Sequence, residues 1–271
     1  MATSIKLGWH IETTGGVSAN LFATAKRLHD AGHMLALAVV IDDVALANAM
    51  ATVCRYVIFR SYPAGQTFRM GNLVDTQSSI AEANKVWANH QGAILNLDKR
   101  CFVQTRNEAG INEFDSDYEI RIQQLAEAQG YRSGMAGDSV GTPTPTQWQW
   151  RIPALRRAFE HGHAAVLHEY SAFVNGKPSN TPLCDPATRD YYGLRHRALY
   201  ASVPADCRPL LLIGESGLST VNADSMDDLR GYNALLCEDA YVGGMAYYGL
   251  GASQYNLNGQ LPAIEQLVMS L

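Results

Sequence analysis

The chain has 271 residues, 47% of them hydrophobic and 17% charged, with a formal net charge of −5. That composition excludes a disordered chain and leaves enough apolar material for one large core. The acidic balance gives no electrostatic ground for nucleic acid or an anionic membrane as partner. No apolar run approaches the ~18 residues of a membrane span, so no membrane insertion is expected. Five cysteines (Cys54, Cys101, Cys184, Cys207, Cys237) are widely spaced with no C-x-x-C pair. Their odd number and apolar neighbours point to reduced, mostly buried thiols. The N-terminus runs straight into a strand-like segment with no room for a signal peptide, so a cytoplasmic location is the expectation for the chain as given.

Strand-like and helix-like segments alternate from end to end. A first strand is predicted over Ile5 to Ile11, followed by a helix over Ser18 to Ala31. In that helix Leu21, Phe22, Ala25 and Leu28 recur at helical spacing, with Ser18 as its cap and Gly32 as its stop. Met34 to Ile41 and Tyr56 to Arg60 are the next strands, separated by a helix over Val44 to Val53 that Asp42-Asp43 would cap. A helix over Ser79 to His90 stops at Gly92. Cys101 to Thr105 is the fourth strand, Asp115 to Gln129 a helix ended by Gly130, and Tyr131 to Ala136 the fifth strand. Trp148 to His161 is helical, with Pro153 setting or bending its first turn. Ala164 to His168 is the sixth strand. A polar insertion, Asn175 to Pro186, precedes a helix over Arg189 to Ser202. Pro209 to Gly214 and Gly243 to Tyr248 are the last strands, with helices over Ser225 to Asp239 and Pro262 to Leu271.

Eight strands alternating with eight helices specify an α/β chain with parallel pairing and right-handed crossovers. A single-domain (β/α)8 TIM barrel of this length is the natural closure, with a doubly wound open sheet as the alternative. Glu12-Thr13-Thr14-Gly15-Gly16-Val17, at the first strand-helix junction, is not G-x-G-x-x-G, and no G-x-x-x-x-G-K occurs. No cofactor is implied. Polar and aromatic residues collect after the strands, on the rim where a barrel builds its site.

Those strand ends carry His10 and Glu12, Asp42 and Asp43, Arg60 and Tyr62, Asn107 and Glu108, and Asp138. They continue with His168, Glu169 and Tyr170, then Glu215, then Tyr247 and Tyr248. A carboxylate closing a buried apolar strand is costly unless it has partners or a task. Glu108 and Glu215 both do so, on the fourth and seventh strands, which lie across the barrel mouth from each other. Two carboxyl groups facing across a cleft suit glycoside hydrolysis, one as acid/base and one as nucleophile. The nucleophile must stay ionised, and Arg60 and Tyr170 are candidate donors for it. Strand alternation points the rival Glu169 away from the side shared by His168 and Tyr170.

The Asn-Glu pair of the fourth strand (Asn107, Glu108), His-x-Tyr of the sixth (His168, Tyr170) and Gly-Glu-x-Gly of the seventh (Gly214 to Gly217) resemble the clan A retaining glycoside hydrolases. The likeness is strongest to the cellulase-like families that share the His-x-Tyr element. The resemblance implies Glu108 as acid/base, Glu215 as nucleophile and Asn107 as a ligand for a sugar hydroxyl. His168 and Tyr170 become site residues, with Arg60 an approximate match for an arginine that steadies the nucleophile. The chain departs from the pattern at Ala109, where many members have proline, and at Tyr247 and Tyr248, where many have a tryptophan platform. The partner implied is a carbohydrate, and the expected activity is endo-acting, retaining hydrolysis of a poly- or oligosaccharide. An intracellular enzyme, the catalytic domain of a longer protein or a phage-type lytic protein would each fit a chain without a signal peptide.

Two other classes remain open from the residues alone. One is a glycan-binding barrel without activity. The other is a metal-dependent barrel hydrolase using His10, Glu12, His168 and Asp138, although no close His-x-His pair supports a metal site. Trp148, with Trp150, is a candidate for sugar stacking or for core packing.

Overall fold

The strands close in chain order. β1 (Trp9–Glu12), β2 (Leu35–Ile41), β3 (Cys54–Arg60), β4 (Phe102–Gln104), β5 (Arg132–Asp138), β6 (Ala164–Tyr170), β7 (Leu210–Gly217) and β8 (Val242–Gly251) form a closed barrel. Every neighbouring pair runs parallel. The helices are α1 (Ser18–Asp30), α2 (Val44–Met50), α3 (Thr76–Ile94), α4 (Asp115–Ala128), α5 (Ile152–His161), α6 (Arg195–Ala201), α7 (Met226–Cys237) and α8 (Leu261–Ser270). The chain is therefore a (β/α)8 barrel. This computed structural model describes residues 5–12, 18–62, 70–171, 173–174, 177–178, 181–217, 226–251 and 257–271. None of its helices is long and apolar enough to cross a membrane among the described residues.

Two apolar layers follow from the period-two alternation of the strands. Leu37, Val39, Ile58, Phe102, Val166 and Leu212 fill the barrel interior. Ala38, Val40, Val57, Phe59, Leu167 and Ile213 face outward against the helices, in one cluster with Leu21, Leu28, Trp87 and Leu229. The five cysteines are free, and Cys54, Cys101 and Cys207 are buried.

Local signals explain where the elements depart from sequence expectation. α3 begins at Thr76 because Asp75 accepts from Ser78 N while the Ser78 hydroxyl reaches back, a capping box, and it passes through Gly92 to Ile94. Gly32 and Gly130 take left-handed φ of 89° and 77° just after α1 and α4, as stops should. The segment predicted as helix from Trp148 starts earlier and in pieces. A turn over Pro145–Trp148 and a 3-10 turn over Gln149–Arg151 lead into α5, with Pro153 in its first turn. α6 is shorter than predicted, because residues 189–194 form turns. In the polar insertion, Lys177–Pro178 pairs with Phe173–Val174 as a small antiparallel ribbon, and residues 175–176 and 179–180 lie outside the described residues.

The last three strands run further than their apolar cores. β6 continues to Tyr170 and β7 to Gly217, so their motif residues sit on strands, whereas Asn107 and Glu108 lie in a bend beyond the end of β4 at Gln104. One irregularity decides the site. Leu167 pairs with Ile213, but His168 pairs with Glu215, so Gly214 and Glu215 share one position opposite β6. Strict alternation from inward Leu212 would turn Glu215 outward; this β-bulge returns it to the interior. Gly214 permits the bulge, because a Cβ there would come within 2.7 Å of Val166 Cγ1.

Candidate active site

Glu215 lies deep in the mouth of the barrel and both its oxygens are engaged. Arg60 Nη1, from the end of β3, donates to Oε1 at 2.6 Å, and the Tyr170 hydroxyl donates to Oε2 at 2.7 Å. His168 Nδ1 stands 3.4 Å from Oε2 and His10 Nε2 3.5 Å from Oε1. Burial alone would raise its pKa, but His168 and Arg60 outweigh it and hold the carboxyl well below the usual range. Burial also pulls the His10 pKa down to about 3, leaving the ring neutral. Glu215 is thus a carboxylate kept ionised at neutral pH, with its charge partly neutralised.

Glu108 has a different setting. Its side chain is 40% exposed, and one oxygen accepts from His168 Nδ1 at 2.9 Å. Arg60 Nη2 lies 3.5 Å from His168 Nε2. The Glu108 backbone is left-handed, φ 49°, and its N–H donates to Gly137 O at 2.7 Å. A non-glycine residue held at positive φ is the kind of local strain that a site imposes. One oxygen of Glu108 and one of Glu215 lie within 4.8 Å of each other.

The two carboxylates open on a cavity of about 440 Å³ that Asn107, His10, Glu12 and Tyr248 also line. That volume is in the range of small-ligand sites. Tyr248 OH donates to Glu12 at 3.2 Å, and burial raises the Glu12 pKa. Among the described residues no hydrogen bond reaches either ring nitrogen of His10 or Oδ1 of Asn107, all of them buried atoms. The structure therefore gathers Glu108, Glu215, Asn107, His168, Tyr170, Arg60, His10 and Glu12 at one mouth.

Two predicted residues stand elsewhere. Tyr247 is 2% exposed and packs in the outer apolar layer, because the alternation of β8 gives the inward position to Tyr248. Trp148 is fully buried, near-parallel to Tyr200 at 6.4 Å and under the Arg151 guanidinium, and presents no face to a sugar. Glu169 points outward, as alternation requires, and is bound to His196 Nδ1 at 2.8 Å. Asp138 is taken up by Arg151, which with Arg106, Asp115 and Glu119 forms a buried ionic cluster outside the mouth.

Of the strand-end residues, Asp42 was expected to cap α2 with Asp43, and one participant, Gln104, was missed. Asp43 alone caps α2, through Leu46 N at 2.8 Å. Asp42 instead lines the cavity at φ 55° and accepts from Tyr62 N at 2.8 Å. Tyr62, half exposed, forms part of the same wall. Gln104, fully buried, accepts from Arg60 Nε at 3.0 Å. Its inward phase relative to Phe102 was the available signal.

Glu108, His168 and Glu215 are the residues best placed to hold a metal ion among those described. Their chemistry fits one poorly. Both Glu215 oxygens already accept from Arg60 and Tyr170, and a cation there would stand against a guanidinium. The proposed set with His10, Glu12 and Asp138 is not assembled, since Asp138 is paired with Arg151.

No protein-family model and no curated protein matches the chain. Solved structures do. A xyloglucan-specific endo-β-1,4-glucanase of glycoside hydrolase family 5 from a metagenomic library, in complex with cellotriose, superposes with a TM-score of 0.61. It has 11% identity over 99% of this chain and 97% of that one. A family 5 lichenase from Caldicellulosiruptor sp. F32, in complex with cellotetraose, gives 0.60 and 12% over 99% and 93%. A cellulose synthase subunit Z from Clostridioides difficile gives 0.59 and 12% over 98% and 99%. At these identities the likeness establishes the barrel fold.

Proposed function

We propose that the chain is a retaining glycoside hydrolase acting on a poly- or oligosaccharide, with Glu215 as nucleophile and Glu108 as acid/base. The observation that carries this reading is the pairing of two unlike carboxylates within 4.8 Å across the mouth. A pair of oxygens that close agrees better with the roughly 5–5.5 Å separation of a retaining pair than with the roughly 6.5–9.5 Å that admits a water in inversion. Glu215, ionised and held by Arg60 and Tyr170, attacks the anomeric carbon. Glu108, open to the cavity, gives its proton to the leaving oxygen, then removes one from the water that releases the product. Asn107 Oδ1 and the His10 ring, buried without hydrogen-bond partners among the described residues, are available to sugar hydroxyls. The fold shared with endoglucanases supports an endo mode of action, and a β-linked glucan is the first substrate class to test.

The test is a panel of soluble β-glucans assayed for new reducing ends, with the product anomer read by NMR in the first minutes. Retained configuration is expected. Glu215→Gln and Glu108→Gln should each lower kcat by at least about 10³-fold with an unchanged circular dichroism spectrum. Glycan binding with no product across the panel would instead establish a non-catalytic barrel.

A further inference from the structure

We propose that Gln104 is a positioning residue that sets both reactive carboxylates through one buried amide. The proposal rests on the hydrolase reading for its kinetic consequence and on geometry alone for its structural one. Gln104 sits at the inward end of β4, beside Arg60 in register on β3, and is fully buried. Its Oε1 accepts from Arg60 Nε at 3.0 Å, which leaves the Nη1 edge aimed at Glu215 Oε1, 2.6 Å away. Its Nε2 donates to Ala136 O at 3.0 Å.

That second bond reaches the other carboxylate. Ala136 and Gly137 are consecutive left-handed residues, φ 69° and 104°, at a bulge in β5 where Ala136 pairs with Val166 and Asp138 with Leu167. Gly137 O accepts the Glu108 N–H at 2.7 Å and so seats the acid/base. A Cβ at Gly137 would lie 2.0 Å from Gln104 Nε2, so the amide occupies the space that the glycine leaves. Arg60 Nε can only donate and Ala136 O can only accept, which fixes the amide orientation. An ionised glutamate could serve Arg60 but not the carbonyl, and an apolar side chain could serve neither.

Two arms therefore leave one side chain, and they can be separated. The probe is protein with ¹³Cδ-labelled glutamate, the two signals assigned through Glu215→Gln and Glu108→Gln. Gln104→Met should displace both carboxyl signals and lower kcat on whichever soluble β-glucan of the panel the parent hydrolyses about 10²-fold with KM little changed, the scale of a small misplacement. In an Arg60→Met background, adding Gln104→Met should leave the Glu215 signal where it was and still displace that of Glu108. Gln104→Asn, one methylene short of its partners, is the fallback should the methionine variant not fold, with the same expectations. Unmoved carboxyl signals and unchanged kcat, with only a lower melting temperature, would reduce Gln104 to packing and overturn the proposal. Displaced signals in a protein that turns over no glycan would leave the positioning role standing and defeat the hydrolase reading instead.

Discussion

Arg60→Met isolates the contribution of one buried ion pair. The Arg60 and Glu215 side chains are 2% and 8% exposed and meet at 2.6 Å. Removing one partner strands a carboxylate out of water, which costs about 3–5 kcal/mol for a buried pair. Tyr170 and His168 continue to serve Glu215, which places the loss near the lower end, about 3 kcal/mol. For a chain of this size that lowers Tm by roughly 6–12 °C. The loss depends on pH with a definite sign. In the parent the carboxyl is held below its unfolded value, so the pair stabilises above the ordinary carboxylate range and fades only as pH falls through the low folded pKa. In the variant burial is no longer outweighed by Arg60, Glu215 protonates at higher pH, and acid relieves the stranded charge. Urea unfolding at pH 7 and pH 4.5 should show the stability gap narrowing in acid. Adding Glu215→Gln to Arg60→Met should recover most of the loss at pH 7. A gap below 1 kcal/mol at pH 7, or one that does not narrow, would refute the pair as the means of keeping the carboxylate charged.

Two further expectations concern residues outside the mouth. Burial opposes a charge on His196, but Glu169 and Asp239 at its two nitrogens push the pKa up to about 9. This raised group stabilises fully below the unfolded value of ~6.5 and loses its contribution as pH rises through about 9, so the urea midpoint should fall between pH 6.5 and 9.5. A His196→Gln protein should show a flatter profile over the same window. Trp148→Ala should cost about 3–5 kcal/mol as a core truncation while KM stays within twofold. A large rise in KM with stability intact would return Trp148 to the substrate surface.

The alternation of apolar strands and amphipathic helices specified parallel pairing, because period 2 and period 3.6 bury different faces and are written locally, and favoured a barrel over a doubly wound sheet through the polar residues gathered on one rim. It also placed the candidate site residues at the strand ends and turned Glu169 outward, since an inward phase is counted from any apolar neighbour. Glycine at 32 and 130 marked helix ends for the same local reason. What alternation could not carry was its own interruption. Glu215 faces the mouth only because Gly214 doubles up with it opposite His168, a pairing irregularity set by the neighbouring strand. Tyr248 rather than Tyr247 lines the cavity through the phase of β8, and Trp148 is covered by Tyr200 from a helix fifty residues on. Gln104 has a role only because closure of the barrel brings Arg60 and Ala136 O to its two ends. Residue type and periodicity belong to the chain; the register between strands, and with it which donor meets which acceptor, exists only once the barrel has closed.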